Sequence, residues 1–302
     1  MLSVLSALWA TGSVPSRRGR VVVMGQFNHE PCPGCVDVWR ATWEKYVPVA
    51  TVTAVCPSPK GDAFGKQATC DTYYTQEQNP GWTMPYKNLA RALLNVPENT
   101  TGLLYVHDDM VVTPAFLRRL QSHTWVRSDT LGSTSPGNYR RVSWDRRMPA
   151  TPESRRRGGG RLWPWRKPCE AAARALPAEK KGYWNSTHPL QLVTHQSDML
   201  YIDTTRPHIV REFVELLKVM ARTAMFLECA LPTALEAIRR RWDLQVETAA
   251  VCTSWAKHTR HRYRAWACTQ KKETRKYELF HPVKLSLYKT WDAEWAYIHS
   301  RV

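Results

Sequence analysis

Two rhythms of apolar positions alternate along the chain. Arg20 to Gly25 (RVVVMG) and Val49 to Val55 (VATVTAV) are β-branched runs closed by Gly or Pro, which predicts strands. Val36 to Tyr46 and Tyr86 to Leu94 carry apolar residues at helical spacing, the second stopped by Pro97. The apolar stretch around Leu103 to Val112 reads as a central strand from 102 to 112, buried on both faces, with a helix from Pro114 to about His123 behind it. Thr72-Tyr73-Tyr74, Gln196 to Ile202 and Val246 to Trp255 predict further strands. Arg206 to Ala221 is strongly periodic, and a second helix follows Phe226 and runs to Arg241. Tyr277 to Leu285 predicts a last short strand, interrupted at His281-Pro282. Strands alternating with helices imply βαβ units: an α/β fold with a mainly parallel sheet flanked by helices. Ligands bind such sheets beyond the carboxyl ends of the strands.

Composition narrows this picture. A hydrophobic content of 43% with 14 Trp over 302 residues supports a folded core. The formal charge of +17 implies anionic partners: nucleic acid, phosphorylated metabolites or an acidic membrane surface. Much of it sits between about 138 and 181, where arginines from Arg140 to Arg166 gather around Gly158-Gly159-Gly160. That stretch reads as a basic, flexible insertion able to touch an anionic surface, with Trp163 and Trp165 interleaved. Residues 1–19 read as an N-terminal tail or anchor remnant, 20–290 as one catalytic domain carrying the insertion, and 291–302 as a C-terminal tail. Cys32 and Cys35 form a CxxC with no second CxxC, which argues against a four-Cys zinc site, while Cys56 and Cys70 flank a loop and can pair. Sequons at Asn99 and Asn185 favour the secretory pathway, in the Golgi lumen or membrane-associated, over the cytoplasm.

The chemistry centres on His107-Asp108-Asp109. Two adjacent carboxylates among apolar neighbours are costly unless a cation or strong donors neutralise them. A divalent ion with oxygen ligands, Mg2+ or Mn2+, meets that need. The competing account places both aspartates in a turn that caps the helix starting near Thr113. Three more polar groups stand in apolar surroundings: Asp198, Glu228, and His281 with Lys284.

In this order the four sites resemble the metal-dependent glycosyltransferases of the GT-A fold, a Rossmann-like architecture, over residues 20 to 290 without the insertion. The resemblance implies that the triplet stands for the acidic DxD-type motif on a sugar-nucleotide diphosphate, with His in the first Asp position. It assigns Asp109, His107 and His281 to the metal, with Asp108 beside the donor. Gln26 and Asn28 follow the first strand where such enzymes hold the base, Lys87 faces the nucleotide, and Lys284 meets the diphosphate. Glu228, then Asp198, are the expected carboxylates for the acceptor hydroxyl. The implied donor is a nucleotide sugar, the acceptor a glycan, protein or lipid, and no specific nucleic acid is expected. Other classes compete: a nucleotidyltransferase or nuclease using the same carboxylates, a basic nucleic-acid-binding protein without catalysis, or an inactive relative. A two-metal nuclease needs more acidic residues near Asp108 and Asp109 than the neighbouring sequence holds.

Overall fold

The computed structural model of the chain describes residues 20–28, 30–47, 51–58, 70–75, 83–120, 124–130, 171–172, 174–175, 197–253 and 277–281. The first strands and helices follow the hydrophobic rhythm: β1 (Arg20–Gln26), α1 (Cys35–Tyr46), β2 (Thr51–Pro57), β3 (Thr72–Tyr74), α2 (Met84–Leu94) and β4 (Thr100–His107). After them come β5 (Val111–Val112), α3 (Pro114–Arg119), β6 (Trp125–Thr130) and β7 (Met199–Asp203). Two long helices, α4 (Pro207–Arg222) and α5 (Leu227–Arg241), lead to β8 (Val246–Thr253) and β9 (Leu279–His281). The strands form one sheet in the order β3-β2-β1-β4-β7-β6-β8-β9-β5.

The class is α/β, as the alternation predicts, but the sheet is mixed. β3, β2, β1 and β4 run parallel, as do β6, β8 and β9. β7 is antiparallel to both of its neighbours, because it enters where β4 ends, with Met199 opposite Val106. The expected central strand from 102 to 112 is also corrected: it breaks into β4 and β5, with Asp108 and Asp109 in a turn between them.

Alternation along each strand serves two cores. Val22 and Met24 point to the side covered by α2, α4 and α5, and Val21 and Val23 to the side covered by α1 and α3. On the first side α4 buries Ile209, Phe213, Leu216, Leu217 and Met220, each burial worth about 1.5–3 kcal/mol. On the second, Trp39 lies against the bare backbone of Gly25 so closely that any Cβ there would strike its ring. Thr113 caps α3, its Oγ1 accepting from Phe116 N at 3.3 Å, so the neighbouring aspartates are not the cap. β6 is the strand that periodicity missed, since Arg127, Ser128 and Asp129 interrupt its apolar start; its ladders with β7 and β8 hold it in place.

Of the basic stretch, only 171–172 and 174–175 are described; they are helical, and Ala172 is buried in the core, so this end belongs to the packed domain. The remainder of that insertion, both expected tails, Asn185 and Lys284 lie outside the described residues. Two disulfides, Cys32–Cys35 and Cys56–Cys70, tie loops at the β1 and β2 ends, and Cys252 is also disulfide-bonded. Among the described residues no helix is long and apolar enough to cross a membrane.

Candidate active site

β1 and β4 end together, with Gln26 opposite His107 in the parallel ladder. β7 begins at the same edge, where His107 N donates to Asp198 O at 2.9 Å. Three chain segments therefore deliver Gln26, Asn28, His107, Asp108 and Asp198 to one place by backbone pairing alone. The next turn supplies Asp109, which is 4% exposed, while Asp108 is half-buried with its N–H on Gln26 O at 3.1 Å.

His107 is the hub of the side-chain network. Its Nδ1 lies 3.0 Å from Asp198 Oδ1, and its Nε2 lies 2.6 Å from the Tyr105 hydroxyl. A carboxylate only accepts, so Nδ1 carries the proton and Nε2 accepts from Tyr105. The Asn28 amide sits 3.1 Å from the same Nδ1. That proton favours turning the amide oxygen toward it, which also gives a partner to an oxygen otherwise buried without one among the described residues. Below, Asn88 Nδ2 donates to Gln26 Oε1 at 3.3 Å, and Tyr74 donates to Phe27 O at 2.8 Å.

Burial, reinforced by the charges of Asp198, Tyr74 and Asp108, pushes the Tyr105 phenol well above its usual value. Tyr74 is pushed up too, by burial first and Asp108 second, against a lowering contact from Gln26. Both phenols stay protonated donors beside two carboxylates. Tyr105 was legible from the sequence, standing two positions before His107 on one strand face; Tyr74 and Asn88 reach the site only through tertiary packing.

The late strand arrives from the far end of the chain. β9 pairs antiparallel with β5, Val111 against Phe280, and continuing that register sets His281 opposite Met110, next to Asp109. Of His281 only the backbone is described. An arginine bridge holds this corner: Arg119 on α3 reaches Glu278 Oε2 at 2.5 Å and Glu247 Oε2 at 2.7 Å. Thr113 N donates to Glu278 O at 2.9 Å, joining the same corner through the backbone.

The remaining expected residues fall elsewhere. Glu228 is exposed in the first turn of α5. Leu231 and Pro232, one turn on, line a small cavity together with Ser197 and Met199, the neighbours of Asp198. Lys87 lines a separate cleft between α2 and α4.

Among the described residues no three His, Cys, Asp or Glu side chains converge into a ready-made metal cage. The carboxylate oxygens of the Asp108-Asp109 turn are of the kind that Mg2+ or Mn2+ takes as ligands. With both ring nitrogens of His107 engaged by Asp198 and Tyr105, a metal bond from His107 requires one of those contacts to open. The chain matches no model of a known protein family, and no curated protein is significantly similar to it.

Proposed function

We propose that this chain is a metal-dependent glycosyltransferase of the GT-A type, moving a sugar from a nucleotide-diphosphate donor to a hydroxyl acceptor. One observation carries the reading. The pairing of β5 with β9 sets His281 beside the Asp108-Asp109 turn, at the strand edge where Gln26, Asn28 and Asp198 also meet. His281 and Asp109, 172 positions apart in sequence, would share such an edge only by the topology of the sheet, and this is the order in which the GT-A resemblance needs them.

Asp109, with His281, would hold Mn2+ or Mg2+, and Asp108 would face the donor. Bound there, such an ion supplies charge compensation for a departing diphosphate. Asn28 would border the base, with the buried Gln26 beneath it held by Asn88 and the backbone of Phe27. Lys284 would add a point charge on the diphosphate side. Glu228 receives the proton of the acceptor hydroxyl, and Asp198, fixed by His107, orients the sugar from the same edge. The disulfides favour an oxidising, secretory setting for this reaction.

Calorimetric titration with a panel of nucleoside diphosphates and their sugar conjugates, with and without Mn2+, tests the reading. At least one nucleotide should bind only with the metal, and Asp109→Asn should abolish that binding while the far-ultraviolet spectrum stays unchanged. Metal-independent binding, or an Asp109→Asn variant that binds as well as the parent, overturns it.

A further inference from the structure

On the helical side of the sheet, α2 and α4 leave a cleft of about 470 Å³ between them. Its lining is apolar between the charges, with Ala90, Leu217 and Ala221, and it includes Leu94, which is 51% exposed. Four cations ring it: Lys87 and Arg91 from α2, Lys218 and Arg222 from α4. No carboxylate lines the cleft, and among the described residues none of the four makes an ion pair. Each pair is spaced i,i+4, which brings like charges together and costs helix stability. Arg91 and Arg222 stand in the last turns of their helices, where the dipole favours a cation, and Arg222 Nε donates to Lys218 O at 3.4 Å, yet no carboxylate answers the four charges across the cleft.

We propose that this cleft docks the protein on a membrane surface rich in anionic phospholipid, with Leu94 entering the interface and the four cations meeting lipid phosphates. Cations around an exposed apolar residue are the combination that such an interface rewards: apolar burial at the centre, charge attraction around it. An acidic protein segment would meet the same cations, but a short cleft lined by aliphatic side chains matches acyl chains and headgroups better than an extended acidic chain. The proposal does not depend on the glycosyltransferase reading, since none of its residues belongs to the Asp108-Asp109 corner.

The full chain is tested by co-sedimentation with vesicles of phosphatidylcholine alone and of equimolar phosphatidylcholine and phosphatidylserine. Each Lys or Arg at an anionic surface changes binding by about fivefold. Arg91→Gln with Arg222→Gln, both exposed positions, should therefore lower partition onto the phosphatidylserine vesicles by roughly 25-fold. Leu94→Ser should lower it further, and that part of the loss should persist at high salt. The control neutralises Arg155 and Arg156 in the basic stretch. An equal loss in control and cleft variants means unspecific charge attraction and overturns the proposal, as does unchanged partition of the cleft variants. A cleft variant that keeps its vesicle binding but loses binding to polyglutamate also overturns it, in favour of an acidic protein partner.

Discussion

His107 occupies the first position of an otherwise acidic triplet, and its contacts show what a histidine does there that an aspartate could not. Two ring nitrogens on opposite sides span from Tyr105 to Asp198, a job for a side chain that donates at one end and accepts at the other. The two amide replacements divide that job. In Asn the side-chain nitrogen falls near Nδ1, so His107→Asn keeps a donor for Asp198 but strands the buried Tyr105 hydroxyl. In Gln the amide reaches toward Nε2, so His107→Gln keeps Tyr105 and releases Asp198. Each should cost about 1–3 kcal/mol, the penalty for an unsatisfied buried polar group, measured by urea unfolding. If His107 acts through Asp198, transfer should survive in His107→Asn and fail in His107→Gln, with metal-dependent nucleotide binding intact in both. Nitrogen chemical shifts of the His107 ring give a readout independent of turnover: the Nδ1–H tautomer is expected. Glu228 is the contrasting case. It sits exposed at the start of α5, where its charge faces the helix dipole. Glu228→Gln should cost only about 0.5 kcal/mol of stability while transfer collapses; undiminished transfer would remove Glu228 from the mechanism.

At the scale of elements, the site depends on a short strand being held against a short strand. β5 and β9 contribute two and three residues, too few to be stable by their own ladder. Arg119 supplies the missing restraint by joining α3 to Glu247 at the start of β8 and to Glu278 just before β9. Arg119→Ala should cost about 2 kcal/mol, the scale for charged hydrogen bonds, half-exposed as these are, and should weaken nucleotide binding along with stability. Arg119→Lys should rescue little, because an ammonium lacks the fork that reaches two carboxylates. On the opposite border of the sheet the Cys56–Cys70 bond closes a separation of 14 residues beside β2. Replacing both cysteines by serine should cost about 3 kcal/mol of unfolding free energy, which urea titration would show. These elements also mark where sequence reasoning worked and where it ran out. The long helices and the strands β1, β2 and β4 carry unbroken periods, so local pattern and tertiary burial agree. The break at Asp108-Asp109 was hidden because apolar residues continue on both sides, and a two-residue strand such as β5 has no period to detect. β6 was hidden by its polar second half, and the reversal of β7 depends on which edge the chain enters, which no single segment encodes. Glu278 and Arg119 read as ordinary surface charges; only the fold makes them a clamp.

For the molecule as a whole, burial of aromatic polar groups links stability to alkaline pH. Tyr74, Tyr105 and Tyr201 are all buried, and burial is the largest influence raising each phenol above its ordinary value near 10. Nearby carboxylates add to it: Asp108 for Tyr74, Asp198 for Tyr105, Asp203 for Tyr201. The folded chain therefore keeps protons at pH values where the unfolded chain has released them. By linkage, stability is at its full value below a pH of about 10 and falls as pH rises beyond it, toward the folded values of these phenols. Two signals followed together test this. Phenolate absorbance should rise in two phases, exposed tyrosines first near their ordinary value and the buried ones only as the far-ultraviolet signal collapses. Tyr201→Phe removes one linked proton without touching the Asp108-Asp109 corner, so unfolding free energy should fall less steeply with pH in that variant. If every tyrosine titrates near pH 10 with the fold intact, these side chains reach solvent, and the packing of the sheet edge around His107 must be looser than its hydrogen bonds imply.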